Sequence, residues 1–549
     1  MTNQELANKF NILGKLLELH GENQFKIRSY TNAYLNIKKW HEPIIDLTVS
    51  ELATIQGIGK AIQAKILELA ETGEMQTLNR YLDKTPPGIV QMLSIKGFGP
   101  KKIKVLWEEM EIETLGELMI AINENRLVDV KGFGQKTQAA LKEQLEYHLD
   151  SQGKLKGATA LGLAHELLSA LEKALPKVVV TSTGALARKC NVIDRIDLLT
   201  TADLAEFSTA LSEIPGVDTA DQVLNYKGLP VLIHKSRPED LAYESVRTSS
   251  TPEFWAELNI KKAKYKNEAE VFIKNGHPYY IPEYREPENL PFLEDYTGEN
   301  NIVTRQDIKG CIHNHSTYSD GMQTVSEMVD AAQNLDYEYF VITDHSKTAI
   351  YANGLSIDRL YQQLEEIRTI DQGIADCKLF SGIESDILAD GSLDYPDEVL
   401  AELDVVVASI HSGLRMDEKK ATKRLIRAIE NPYTSILGHP TGRLLLSRPA
   451  YPINHSEVIA ACAEYNVAIE LNANPSRLDM DWRWINDAVS KGVYISINPD
   501  AHSIGGIEHT VHGVDSARKA GLPIAYCLNA LGLDEFEEWL KEQHEKREE

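Results

Sequence analysis

From Lys309 onward, short apolar and β-branched runs alternate with amphipathic stretches at intervals of about 30 residues, the rhythm of βα units. Seven runs stand out: Gly310–His315, Tyr339–His345, Leu379–Glu384, Val405–His411, Ser435–His439, Val467–Asn472 and Tyr494–His502. Most end in a polar side chain able to bind a metal. Parallel barrels gather their functional groups at the carboxyl ends of their strands, so these ends are expected to converge on one mouth. Seven repeats predict a (β/α)7 barrel, a contracted relative of the eight-fold type.

The polar ends form a coherent donor set. His313 and His315, like Asp500 and His502, are spaced i, i+2, which predicts that each pair projects to one side of a strand. Asp320, in Ser319-Asp-Gly321, adds a carboxylate just past the first run. Imidazole mixed with carboxylate favours Zn, Mn or Fe over an all-oxygen Mg site. One strand-end histidine is usually structural, but histidines and carboxylates closing successive predicted strands are not explained that way. His455, His509 and His512 lie away from strand ends and read as surface or supporting residues.

The N-terminal third repeats one short pattern: Ile55-Gln-Gly-Ile-Gly-Lys60, Ile95-Lys-Gly-Phe-Gly-Pro100 and Val130-Lys-Gly-Phe-Gly-Gln135. In each, a Gly-apolar-Gly turn (Gly57/Gly59, Gly97/Gly99, Gly132/Gly134) leads into a helical stretch. Glycine permits positive φ and close backbone approach, and free N–H groups at a helix start suit a phosphate oxygen. Lys60, Lys65, Lys101, Lys102 and Lys136 add positive charge just beyond the turns. One such turn is as often a plain connector, but three with the same flanks are more specific. They resemble helix-hairpin-helix motifs, which grip the DNA backbone without reading sequence.

The length of 549 residues predicts three or four domains. A net charge of −25 excludes a protein coated in basic surface, and confines any DNA contact to local patches. No apolar run approaches the roughly 20 residues needed to cross a bilayer. The five scattered cysteines form no disulfide framework and no secretory signal opens the chain, so the expected location is cytoplasmic.

Phe25-Lys-Ile-Arg-Ser-Tyr30 with Gly57-Ile-Gly-Lys-Ala-Ile-Gln-Ala-Lys65 resembles the small N-terminal domain of family X DNA polymerases. In some members a lysine at the place of Lys65 attacks an abasic-site aldehyde; a plain phosphate contact is the preferred reading here. The resemblance continues from Leu161 to about Glu286, but the palm signature is degraded. The family holds paired Mg²⁺ on an Asp-x-Asp strand after a Gly-Ser turn. Matching Thr183-Gly-Ala185 and Ile196-Asp-Leu-Leu199 puts Ala185 in the serine place and Arg195 and Asp197 in the carboxylate places. Leu232 falls where the third carboxylate is expected. A cation in place of a carboxylate opposes divalent metal binding, so no polymerisation is expected from this palm.

The run of His313-Asn-His315, Ser319-Asp-Gly321, Asp344-His-Ser346, Gly382-Ile-Glu384, Ile410-His-Ser412, Gly438-His-Pro440 and Asp500-Ala-His502 resembles a PHP (polymerase and histidinol phosphatase) domain. That resemblance implies two or three divalent ions (Mn²⁺ or Zn²⁺, or Fe²⁺) held by His313, His315, Asp320, His345, Glu384, His411, His439, Asp500 and His502. Glu384 takes the place of a bridging carboxylate. Bound metals lower the pKa of water and neutralise an attacked phosphate, which implies in-line release of a 3′-terminal nucleotide. Arg443 and Lys347 are candidate phosphate clamps, with solvated loop charges as the equal alternative, and Asn472 is expected to shape the mouth.

The whole chain is similar to bacterial family X polymerases with an appended PHP domain. The expected fold is multidomain α/β: an N-terminal helical domain over 1–90, two helix-hairpin-helix motifs over 91–155, a degenerate nucleotidyltransferase palm and thumb over 156–300, and a (β/α)7 barrel over 307–549. The leading reading is a repair-type 3′–5′ exonuclease acting on gapped or single-stranded 3′ ends. The alternatives are an active polymerase with proofreading, a small-molecule phosphatase and a non-catalytic DNA-binding scaffold. The charged tail Glu535–Glu549 reads as a solvated helix without further role.

Overall fold

A computed structural model describes the chain except residues 41–42, 96, 124–125, 129, 221–222, 375 and 547–549. It divides into two compact units, Met1–Gln152 and Gly153–Glu549.

The first unit is helical. Its opening helix, Asn3–Leu19, starts at a capping box in which Thr2 accepts from the Glu5 N–H and Glu5 accepts from Thr2 in return. Leu6, Phe10, Leu13 and Leu17 then recur at helical spacing and are all fully buried. The three glycine turns share one geometry. Ile58 N–H donates to Ile55 O, Phe98 N–H to Ile95 O and Phe133 N–H to Val130 O, at 3.0–3.2 Å. The apolar residue between the glycines is buried each time, while Gly57, Gly97 and Gly132 have φ of +80°, +93° and +94°. Helices Lys60–Thr72 and Pro100–Glu108 begin at Gly59 and Gly99 without a side-chain cap, leaving first-turn N–H groups for a ligand. The third copy departs from this pattern, since Gly134 itself opens its helix with φ +62°. Lys60, Lys101 and Lys136 are exposed, Lys102 is half-buried, and Lys65 pairs with Glu68 at 2.5 Å. Lys96, in the second turn, lies outside the described residues.

The second unit contains every described strand: β1 (Leu155–Lys156), β2 (Val180–Thr183), β3 (Val192–Ile193), β4 (Ile196–Thr200), β5 (Val217–Ala220), β6 (Val223–Tyr226) and β7 (Leu229–Lys235), then β8 (Gly310–Asn314), β9 (Tyr339–Ile342), β10 (Lys378–Asp386), β11 (Val405–Ser409), β12 (Ile436–Leu437), β13 (Ala468–Asn472) and β14 (Ile495–Asn498). β1 pairs with β3, and a five-stranded sheet runs β2-β4-β7-β6-β5. In it β4 and β7 are parallel, with Asp197 beside Leu232.

Strands β8 to β14 form a seven-stranded parallel sheet in sequential order. The sheet nearly closes: Asn314 bridges Ala501, and the His315 N–H donates to Ala501 O at 2.8 Å. This is the barrel that the seven runs predict.

Alternation explains where the core sits. Val405 and Val407, Tyr339 and Val341, Phe380, Ile436 and Ala468 belong to one inner apolar cluster. Two or four residues further along the same parity come His411, His345, Glu384 and Glu470. Apolar plug and polar mouth therefore share one face of the strands. The opposite parity (Val406, Ala408, Phe340, Ile342, Ile469, Leu471) packs in the outer cluster with the helices.

The plug includes the end of the chain. Helix Leu533–Glu545 buries Phe536, Trp539 and Leu540 against β9 to β11, and Phe536 stacks on Tyr339 with ring centroids 4.1 Å apart. The expected solvated tail is thus corrected: apolar positions at i, i+3 and i+4 among the charges make it part of the core. Residues 547–549 lie outside the described residues.

Candidate metal centre

The strand ends converge. Glu384, at the mouth end of β10, is fully buried among imidazoles. Its Oε1 lies 2.9 Å from His439 Nε2, 3.2 Å from His411 Nε2 and 3.3 Å from His313 Nε2. Its Oε2 lies 2.8 Å from His345 Nδ1 and 3.8 Å from His315 Nε2. Asp500 Oδ1 approaches His315 Nε2 at 3.2 Å and His313 Nε2 at 3.7 Å. Asp320 Oδ1 faces His502 Nε2 at 3.4 Å and His345 Nε2 at 3.6 Å. Every ligand expected from the sequence therefore reaches one basin.

Within it, three groups each bring donor atoms within 4.8 Å of one another: His315/Asp320/His345/His502, His313/His315/Asp500 and His345/Glu384/His411. Each mixes imidazole with carboxylate, the combination suited to Zn, Mn or Fe. Buried atoms support the fit, since His313 Nε2, His315 Nδ1, Glu384 Oε2 and His439 Nδ1 make no hydrogen bond. Such groups are costly to bury unless something binds them. The donor set fits divalent ions.

Simple alternation does not produce this arrangement alone. His313, His439 and Asp500 have φ of +66°, +21° and +51°, a region that β-carbon-bearing residues rarely adopt. The left-handed kink at His313 turns the strand end, so that His313 and His315 both enter the basin. Strain of this kind persists where the surroundings over-determine it.

A supporting layer, absent from the sequence expectations, orients the imidazoles. Glu470 Oε1 lies 2.5 Å from His313 Nδ1, and Asp386 Oδ1 lies 2.5 Å from His411 Nδ1. Carboxylates at Nδ1 fix the ring and direct Nε2 at the centre. Glu470 also accepts from the His439 N–H and from Asn498 Nδ2. Asp344, buried beside His345, accepts from the N–H groups of Ser316 and Ser319 and ties down the loop that carries Asp320.

Charge follows this layout. Burial disfavours ionisation, yet nearby imidazoles hold Glu384 and Asp500 well below the usual carboxylate range. Burial, with His502 and His345 alongside, drives His315 down to about 3. At His411 burial acts the same way, but Glu384 and Asp386 outweigh it and carry the ring up to about 9. Glu384 and Asp500 thus keep their negative charge, as ligands to a cation require.

Each of the two candidate phosphate clamps has a carboxylate beside it. Arg443 does not point into the basin; its guanidinium is engaged by Asp481 and by the carbonyl oxygens of Arg477 and Leu478. Lys347 lies 4.0 Å from Asp394 Oδ1 and over the Tyr395 ring. Arg477 is a cation beside the candidate ligands, with Nε 3.4 Å from Asp500 Oδ2. Asn472 stands behind the ligands rather than at the rim, donating to Asp500 Oδ2 at 3.1 Å.

In the palm sheet, Asp197 is buried on β4. Arg195 Nε donates to its Oδ2 and His234 Nε2 meets its Oδ1, both at 2.9 Å. Gly184 has φ +61°, and a β-carbon there would fall 2.7 Å from Asp197 Oδ2. These residues line a cleft of about 570 Å³ that also includes Lys154, Arg188 and Arg247.

Family comparisons agree with this anatomy. A helix-hairpin-helix domain model matches residues 1–75, a SAM-like helix-hairpin-helix tandem matches 89–146, and a PHP domain model matches 312–499. Among curated proteins, the "DNA polymerase/3'-5' exonuclease PolX" of Bacillus subtilis (strain 168) is 30% identical over 98% of this chain and 100% of its own length. A "Probable phosphatase" of Thermoanaerobacter sp. (strain X514) is 28% identical over 43% of this chain and 95% of its own. Another, of Aliivibrio fischeri (strain MJ11), is 31% identical over 35% and 76%. No described helix is long and apolar enough to cross a membrane. With helix-hairpin-helix turns and a PHP barrel in one full-length match, the chain belongs to the PolX family of DNA-binding proteins.

Proposed function

We propose that the chain is a repair-type 3′–5′ DNA exonuclease whose phosphodiester chemistry takes place at the barrel mouth. One observation carries the reading: Glu384 is ringed by His313, His315, His345, His411 and His439, with Asp320 and Asp500 closing the adjoining donor groups. Divalent ions bound there supply an acidic water and positive charge against a phosphate. The chain's own residues do the rest. Glu470 and Asp386 keep the Nε2 atoms of His313 and His411 aimed inward. His313, His315, Glu384 and Asp500 are buried, so charge on them acts at a lower effective dielectric. Uncapped helix starts at Gly59 and Gly99, with Lys60, Lys101, Lys102 and Lys136, hold the DNA backbone without sequence preference. Lys65 serves as one more phosphate contact.

The palm residues do not fit a metal pair. Both oxygens of Asp197 are engaged by Arg195 and His234, and apolar Leu232 stands beside it. We therefore assign no polymerisation to this chain, although its Bacillus relative carries that activity in its name. The shorter relatives named as probable phosphatases favour a small-ester reading of the barrel by itself, but that reading leaves the repeated helix-hairpin-helix turns without work.

Purified protein with Mn²⁺ and end-labelled single-stranded, gapped and duplex DNA, with and without nucleotides, separates these cases. Ladders shortened from the 3′ end support the exonuclease. Extension supports the polymerase, and inert DNA beside hydrolysis of a small monoester supports the phosphatase.

A further inference from the structure

The palm and the barrel share one compact unit, and their contacts reach the hydrolytic basin. Lys519, fully buried on a barrel helix, donates to Glu286 Oε1 at 2.6 Å and to the Arg188 carbonyl at 2.8 Å. Arg188 pairs with the same Glu286, and Lys189 reaches Asp515 at 3.5 Å. These ties fix the palm against the barrel helix Thr510–Lys519.

A further tie bears on the chemistry. Lys156, half-buried on β1 of the palm, donates from Nζ to Ser476 Oγ at 2.6 Å. Ser476 sits in a tight turn after β13. The N–H groups of Ser476 and Arg477 donate back to the Asn474 side chain and carbonyl at 2.9 and 2.7 Å. The Ser476 carbonyl accepts from the Leu445 N–H at 2.7 Å. The next residue, Arg477, places Nε 3.4 Å from Asp500 Oδ2, and its side chain is only 20% exposed. Its carbonyl in turn accepts from Arg443 Nε at 2.9 Å. One residue therefore separates the palm's lysine from the cation that touches a candidate ligand.

We propose that the palm, unable to hold its own metals, acts as a brace for the hydrolytic centre: Lys156 fixes the Asn474–Arg477 turn through Ser476, and the turn sets Arg477 against Asp500. Lys156 and Ser476 are positioning residues. Arg477 fixes the Asp500 carboxylate and offers its remaining guanidinium N–H donors to a phosphate oxygen of the substrate. This role rests on the hydrolytic reading above, and it gives the degenerate domain a function that does not need its lost carboxylates.

The test uses the full chain and the variants Lys156→Met, Lys156→Arg, Ser476→Ala, Arg477→Ala and the double Lys156→Met/Arg477→Ala. Turnover with Mn²⁺ is read on a 5′-labelled oligonucleotide and on bis(p-nitrophenyl) phosphate, and amide exchange is read across residues 444–446 and 474–478. Arg477→Ala should lower kcat about ten-fold or more, and Lys156→Met and Ser476→Ala about three- to ten-fold. The double variant should be no worse than Arg477→Ala within about two-fold, because coupled residues are not additive. Lys156→Arg, which keeps a donor, should recover most of the rate. Exchange at Leu445 and at residues 476–478 should quicken in Lys156→Met and stay unchanged in the other strands. Unchanged exchange in Lys156→Met, or multiplicative losses in the double variant, would overturn the brace. A wild-type chain inert toward both esters would instead sink the hydrolytic reading, while the exchange data would still decide whether Lys156 holds the turn.

Discussion

Glu470 Oε1 lies 2.5 Å from His313 Nδ1, joining residues 157 positions apart at the base of the basin. The same carboxylate accepts from the His439 backbone and from Asn498, so one buried side chain sets two candidate ligands. Replacing Glu470 with Gln removes the charge and leaves the shape. Mn²⁺ affinity, read by calorimetry on metal-stripped protein, should fall about 10–100-fold, the usual effect of removing an orienting partner. Unchanged affinity would show that His313 needs no such support.

Glu384 is the residue that most of the histidines share. Glu384→Ala should lower metal stoichiometry, measured by elemental analysis of the purified protein, and reduce Mn²⁺-dependent hydrolysis by about 10³-fold or more, as expected for loss of a group central to charge stabilisation. Full stoichiometry with normal turnover would place the chemistry elsewhere.

The helix-hairpin-helix lysines should matter for DNA and not for the reaction itself. The triple variant Lys60→Ala/Lys101→Ala/Lys136→Ala should flatten the slope of log affinity against log salt by about 2–3 on duplex DNA, since each phosphate contact contributes about 0.9. Hydrolysis of bis(p-nitrophenyl) phosphate should not change. A slope that stays the same would mean these exposed lysines do not reach phosphates.

The C-terminal helix should behave as core. Phe536 is fully buried and stacks on Tyr339, so Phe536→Ala should cost about 3–5 kcal/mol. The barrel's urea midpoint should drop accordingly, whereas substitution of exposed Lys541 should leave it in place. Equal midpoints would return this helix to the solvent.

The barrel was legible in the sequence because each strand is a compact β-branched run that stops at a polar residue. His411 or Asp500 announces both a strand end and a donor. What stayed hidden depends on partners far apart in the chain. Glu470 and Asp386 sit beside motifs that were read, yet their task is set by rings that other strands bring to them. Arg443 and Arg477 are both loop arginines in sequence. Only the fold shows Asp481 engaging the first and Asp500 facing the second. The tail's charges masked a three-residue apolar face because that face finds its partners inside the barrel. In the palm, Asp197 and Leu232 stand side by side on β4 and β7, and neither that register nor His234 as a second partner of Asp197 was foreseen.

The most direct test strips the full chain of metal, adds Mn²⁺, and follows a 5′-labelled single-stranded oligonucleotide alongside the His313→Ala variant. The account predicts a ladder shortened one nucleotide at a time from the 3′ end, dependent on Mn²⁺ and absent in the variant. An intact oligonucleotide, or equal shortening by wild type and variant, would contradict it.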